Sequence, residues 1–212
     1  MAELKSKVSN LSGKQKAAGG SLAALAMILG TIALEGGWVN DKDDPGGETN
    51  MGVTKTVAVQ HGYTGPMKKL PEETAISIYY KSYLVKPGYE PLIAVNAPVV
   101  EELFDTAVNM GPSRPSRWFQ QTINETCGTK LTVDGQVGPG TREAFTKCQV
   151  TYGSTKMCIT FLNKLDAKQE AEYDRLIRVN PVLAKYRRGW INNRVGNVPR
   201  SHCEVKYDYS VG

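Results

Sequence analysis

A glutamate that closes a long apolar run, followed by aspartates six to nine residues later, supplies the two carboxylates that acid-assisted bond cleavage needs. Glu35 is followed at once by Gly36-Gly37, and Asp41, Asp43 and Asp44 lead into the turn Pro45-Gly46-Gly47. Breaking a glycosidic bond takes a proton donor on one side. On the other it takes a group that handles the oxocarbenium ion or the attacking water. A glutamate at the end of an apolar helix is desolvated, which raises its pKa and keeps it protonated near neutral pH. An aspartate in a polar turn stays ionised. The same residues also read as an ordinary helix end with a glycine stop and a solvated acidic loop.

The element that must position Glu35 is the stretch 17–34, which has no charged residue over 18 positions. As a helix at roughly 1.5 Å per residue it spans about 27 Å, near the hydrocarbon thickness of a bilayer. Lys5, Lys7, Lys14 and Lys16 precede it against a single acid, Glu3, and the acidic cluster follows. The positive-inside rule then places the N-terminus in the cytoplasm and the chain after Glu35 outside. Only seven residues of the run are large and apolar (Leu22, Leu25, Met27, Ile28, Leu29, Ile32, Leu34), so it enters a membrane without being firmly held. A competing reading is a soluble helix that packs Leu22, Leu25, Leu29 and Ile32 on a core. Its opposite face of Ala, Gly and Ser is unusual for solvent. A third reading, a cleavable leader cut at Thr31-x-Ala33, removes the helix that carries Glu35.

Downstream the pattern is mainly α. Pro71-Glu72-Glu73, then Ala75, Ile76, Ile78, Tyr79, Tyr80 and Tyr83, predict a helix with proline in its first turn, closed by Pro87-Gly88. Residues 98–110 predict a helix with Val99, Leu103, Ala107 and Met110 on one face, stopped by Gly111-Pro112. Arg114–Asn124 predicts another around Trp118, Phe119 and Ile123. Residues 131–141 read as a turn-rich connector, with Thr141 capping a helix from Arg142. Thr155–Val179 predicts a long helix ended at Asn180-Pro181. Strand signals are few, and the one β-element expected is a small hairpin within residues 44–56. The Gly/Pro-rich stretch 111–115 marks the expected domain boundary.

Composition narrows the partner class. The chain has 212 residues, 41% of them hydrophobic, enough for a sizeable core without a metal. A net charge of +5 from scattered Lys and Arg suits an anionic polymer such as cell-wall glycan, or a membrane surface. No basic-aromatic platform for nucleic acid is apparent. Cys127, Cys148, Cys158 and Cys203 include no CxxC pair, and His61 and His202 lack ligand spacing, so neither zinc nor a cofactor is expected. The four cysteines permit two disulfides in any of three pairings, or four separate buried thiols.

Glu35-Gly36-Gly37-Trp38-Val39-Asn40, Asp44-Pro45-Gly46-Gly47, Thr49-Asn50 and Gly52-Val53-Thr54 closely resemble the signature of the glycosyl hydrolase 108 family. These are lysozyme-like N-acetylmuramidases found as phage endolysins and bacterial lysis or secretion-activator proteins. Phe104–Pro112 continues the resemblance. Trp118-Phe119-Gln120-Gln121, Val133–Pro139 and Gly189–Val195 are similar to that family's predicted peptidoglycan-binding domain. The resemblance covers most of residues 30–196.

It implies a lysozyme-like, mainly α fold in four parts. They are a basic N-terminal segment (1–16), the weakly hydrophobic helix (17–34), a catalytic domain (35–112) and a helical peptidoglycan-binding region (113–212). It implies Glu35 as the general acid, Asp44 as electrostatic support or water activator, and Thr49 as the residue that positions a water. That order and spacing resemble the glutamate–aspartate–threonine arrangement of phage lysozymes. Trp38 is a candidate apolar wall for Glu35, or plain core. Asp105 and Asn109 match a family block and are expected as buried polar packing residues. The uncharged run before Glu35 departs from ordinary members and looks like the signal-arrest-release endolysins. This implies transient inner-membrane association through residues 17–34 and then a periplasmic enzyme; the alternative is a host-cytoplasmic enzyme released by a holin. A non-enzymatic wall-binding module or a secretion-activating protein would need neither Glu35 nor its partner carboxylate.

Overall fold

The computed structural model describes residues 21–40 and 48–204, with the backbone alone of Leu34 and Glu35. It is mainly helical, with one small antiparallel hairpin among the described residues. The chain separates into two compact units, Met1–Lys86 and Pro87–Gly212, so the helix over 98–110 belongs to the second.

The first unit is built round helix α1, Leu22–Glu35. Ser21 starts it by accepting a hydrogen bond from the Ala24 N–H at 3.3 Å. Ala24, Leu25 and Ile28 are fully buried, and Ala23, Leu29, Thr31 and Ile32 nearly so. Burial therefore wraps much of the helix, while on the side of Leu22 the small residues Ala26 and Gly30 are half-buried and Ala33 is exposed. Leu22 departs from the predicted stripe: it lies on the first turn, ahead of the packed region, and is 56% exposed. No helix among the described residues is long and apolar enough to cross a membrane. Residues 17–20 of the apolar run lie outside those described.

Strands β1 (Thr49–Asn50) and β2 (Val53–Thr54) pair in register Thr49 with Thr54 and Asn50 with Val53. The turn between them, Met51-Gly52, has φ of 50° and 72°, the left-handed pair a two-residue hairpin demands. Strands this short do not hold themselves together. Buried side chains do it instead: Asn50 Nδ2 donates to the Met67 carbonyl at 2.7 Å. The Tyr79 hydroxyl donates to the Met51 carbonyl at 3.1 Å. Thr54 then caps the short helix α2, Lys55–Gln60. Helix α3, Glu72–Tyr79, follows Pro71 as its cap and continues as a π-helical stretch, Tyr80–Val85. Both pack on α1.

The second unit comprises α4 (Ile93–Met110), α5 (Ser113–Cys127), α6 (Pro139–Tyr152), α7 (Ser154–Val179) and α8 (Arg187–Asn193). Asn96 breaks α4 with φ −156° and ψ 86°, and its Oδ1 accepts from the Val99 N–H. The regular helix thus has Pro98 in its first turn, with Val99, Leu103 and Ala107 fully buried. Phe119, Phe145 and Phe161 join α5, α6 and α7, their ring centres 4.9 to 5.9 Å apart. The cysteines form Cys127–Cys148, tying α5 to α6, and Cys158–Cys203, tying α7 to the 3-10 turn Arg200–Cys203. Thr141 does not cap α6, which starts two residues earlier with Gly138 as cap. It is buried, within 3.4 Å of Gln120 Nε2. Gly88 is required by contact as well as by its φ of +88°, since a Cβ there would lie 2.2 Å from the Val137 carbonyl oxygen.

Between α4 and α7 lies a buried acid, Glu102, 1% exposed. Its Oε1 accepts from the Thr106 hydroxyl, which in turn accepts from Gln169 Nε2. Glu102 Oε2, Asp166 Oδ1 and Gln169 Oε1 are buried without a hydrogen-bond partner among the described residues. Burial first, then the charges of Asp166 and Asp105, push the Glu102 carboxyl well above its ordinary 4.5. Protonated, it supplies an O–H to a cluster with too many acceptors.

Two predictions follow from these buried polar contacts. Asn50→Ala removes its bond to the Met67 carbonyl, which keeps only the Leu70 N–H at 3.0 Å, and should lower stability by about 0.5–1.5 kcal/mol, read as a drop in the urea midpoint. Glu102 has a folded pKa above its unfolded value. Its favourable contribution is thus complete in acid and lost as pH rises through the folded pKa, at about 1.4 kcal/mol per pH unit between the two values. Glu102→Gln should therefore match the wild-type melting temperature near pH 4 and exceed it by a few degrees near pH 8; equal melting curves at both would contradict this.

Candidate active site

Glu35 is the last residue of α1, and Gly36 stops the helix with φ +81°, a conformation that strains any residue with a Cβ. The core helix thus ends where the candidate acid stands. The Glu35 side chain, Asp41, Asp43 and the whole of Asp44 lie outside the described residues. The backbone on either side is described. Val39 and Thr49 form an antiparallel bridge, with Val39 N–H to Thr49 O at 2.8 Å and Thr49 N–H to Val39 O at 2.9 Å. The segment that contains Asp44 is therefore closed at its base only four residues after Glu35. Thr49 is half-buried and opens β1. Its backbone position depends on the hairpin that Asn50 and Tyr79 hold.

Trp38 is neither core nor an enclosed wall, because it is 40% exposed. Its Nε1 donates to Glu48 Oε1 at 3.1 Å, and Lys68 Nζ sits 5.3 Å from the ring centre. The polar edge of the indole and the cation over its face keep the ring at the surface. Glu48 escaped the sequence reading altogether. It pairs with Lys55 at 3.6 Å, and its carbonyl accepts from the Lys55 N–H at 2.8 Å. Its one signal was its place directly before Thr49. An exposed indole flanked by a carboxylate and two ammonium groups, close in chain to Glu35, is a surface able to bind a sugar ring and its hydroxyls.

In the second unit, Asp105 is buried, and Arg194 Nη1 donates to its Oδ1 at 3.0 Å. Asn109 Nδ2 donates to the Asp105 carbonyl at 2.8 Å, yet Asn109 itself is exposed. The expectation of two buried packing residues holds for Asp105 and fails for Asn109, which is one helical turn on and faces outward. Gln120 explains two further motifs. It is 1% exposed, accepts from the Gly135 N–H at 2.8 Å, and donates to Asp134 Oδ1 at 2.8 Å and the Gln136 carbonyl at 3.0 Å. One buried amide thereby holds the whole connector. Trp190 stacks on Tyr173 with ring centres 4.8 Å apart, fixing α8 on α7. No group of three His, Cys, Asp or Glu side chains able to hold a metal ion occurs among the described residues.

Comparison with known proteins gives this geometry a lineage. Residues 28–111 match the family model described as Glycosyl hydrolase 108, and residues 114–195 match a Predicted Peptidoglycan domain. The chain is similar in structure to SagA of Brucella abortus, with 25% sequence identity and a TM-score of 0.61 over 86% of this chain and 93% of that one. No curated protein matches it in sequence. The fold is therefore lysozyme-like and mainly α, and the chain joins a region of the Glycosyl hydrolase 108 type to a Predicted Peptidoglycan domain, a pairing that supports a glycoside hydrolase directed at peptidoglycan.

Proposed function

We propose that the protein is an N-acetylmuramidase, a lysozyme that hydrolyses the β-1,4 bond between N-acetylmuramic acid and N-acetylglucosamine in bacterial peptidoglycan. The observation that carries this is the end of α1. The core helix stops at Glu35 on a left-handed glycine, and the Val39–Thr49 bridge closes the Asp44 segment directly beyond it. Glu35 protonates the glycosidic oxygen that leaves. Asp44 stabilises the developing positive charge or activates water, and Thr49 positions that water. The second unit holds the enzyme on the wall, and cleavage lyses the host cell.

The run 17–34 further supports a signal-arrest-release route, from inner membrane to periplasm. With this run in the bilayer, Glu35 sits at the lipid interface, away from Asp44, and the enzyme is silent. Once released, α1 has a place to go, since Leu25, Ile28, Leu29 and Ile32 are the buried face of the folded first unit.

Two measurements test these readings. Mass spectrometry of fragments from purified peptidoglycan should find reducing-end N-acetylmuramic acid with wild type, and release lowered by about 10²–10⁴-fold with Glu35→Gln. Equal release by both puts the acid elsewhere, and none from either makes the protein a wall-binding module. Changing Gly19, Gly20 and Ser21 together to Leu should lock the chain in the membrane and abolish lysis; normal lysis would sink the release route.

A further inference from the structure

From Arg175 to Cys203 the chain has seven Lys and Arg residues and no Asp or Glu. Within this stretch, residues 178–189 are exposed at every position except Leu183. Val179, Val182 and Tyr186 are 73%, 68% and 48% exposed, far more apolar surface than a solvated helix end needs. The segment is nonetheless anchored. Arg187 pairs with Asp174 at 2.8 Å, Trp190 stacks on Tyr173, and Asn180 Oδ1 accepts from the Val182 N–H at 3.3 Å. Other cations nearby are committed: Arg175 to Glu172, Arg194 to Asp105 and Arg200 to Asp166. Lys185 and Arg188 have no carboxylate partner among the described residues, and Arg178 makes no ion pair there, though it lies in the field of Asp174.

We infer that this basic, apolar knob docks the protein on an anionic phospholipid surface. Chemistry chooses lipid over glycan. A sugar-binding platform offers a flat aromatic face, but Trp190 is covered by Tyr173 and flanked by Tyr186, and Lys185 lies over the Tyr186 ring. Exposed valines give a hydroxyl-rich strand nothing, whereas they enter the headgroup–acyl boundary readily while neighbouring cations meet phosphates. Each Lys or Arg at an anionic leaflet strengthens binding by about fivefold. The knob is remote in sequence from the 17–34 run and independent of the catalytic reading.

The test is sedimentation of the full chain with phosphatidylglycerol and phosphatidylcholine vesicles, with purified peptidoglycan sacculi in parallel. The variants are Arg178→Gln/Lys185→Gln/Arg188→Gln and Val179→Ser/Val182→Ser, all at exposed positions. Residues 1–34 are common to every protein, so differences report the knob alone. The cation variant should bind phosphatidylglycerol vesicles on the order of a hundredfold more weakly and be unchanged on phosphatidylcholine. The valine variant should lose several-fold on phosphatidylglycerol. Unaltered vesicle binding by both variants would overturn the inference, as would a loss confined to sacculi, which would assign the knob to the wall.

Discussion

A helix with no charge from Leu22 to Leu34 has no face that water solvates well, so the first unit has to enclose it. Fully burying a side chain such as Leu25 or Ile28 stabilises the fold by about 1.5–3 kcal/mol. The requirement to bury much of the circumference recruits α3 and its π-helical extension as walls. Glu35, the candidate acid, then inherits its backbone position from packing. Gly36 ends the helix by backbone geometry, and α1 cannot slide along its axis without exposing apolar surface.

The hairpin beyond Glu35 is held by a different kind of force. Two-residue strands contribute few ladder bonds, so Asn50 and Tyr79 carry the turn through single, buried, side-chain-to-backbone hydrogen bonds. Gln120 does the same for the 134–136 connector in the second unit. In both places one buried polar side chain substitutes for regular structure, and a buried partner left unmade would be costly. The second unit adds covalent ties where its helices meet, since Cys127–Cys148 and Cys158–Cys203 close loops of 21 and 45 residues in separation.

Placing acids in the two units follows opposite logic. Glu102 is enclosed between helices, where burial raises its pKa well above the ordinary carboxyl value, and serves packing. Asp105 is buried but stays paired with Arg194. The segment after Glu35 instead leaves Trp38 40% exposed and Glu48 half-buried, paired with the Trp38 indole and Lys55. One chain thus buries carboxyl groups as structure in its helical second unit, while in the first unit Glu48 is paired near the surface.

Helices were legible in the sequence wherever apolar spacing and stop signals agreed. Val99, Leu103 and Ala107 form a buried face as their spacing requires, and Asn180-Pro181 ends α7. The end of α1 at Glu35 was legible too, because an acid closing an apolar run before two glycines is a local pattern. The rest needed tertiary contacts. Leu22 fits the stripe but falls on a turn with nothing packed over it. Thr141 has a capping side chain, yet Gly138 opens the helix and Gln120 claims the threonine. Disulfide pairing, the exposure of Trp38 and the charge partner of Asp105, 89 residues away, all depend on which distant segments meet. Local periodicity encodes what each segment will bury; which neighbour buries it is settled only when the whole chain competes for the same core.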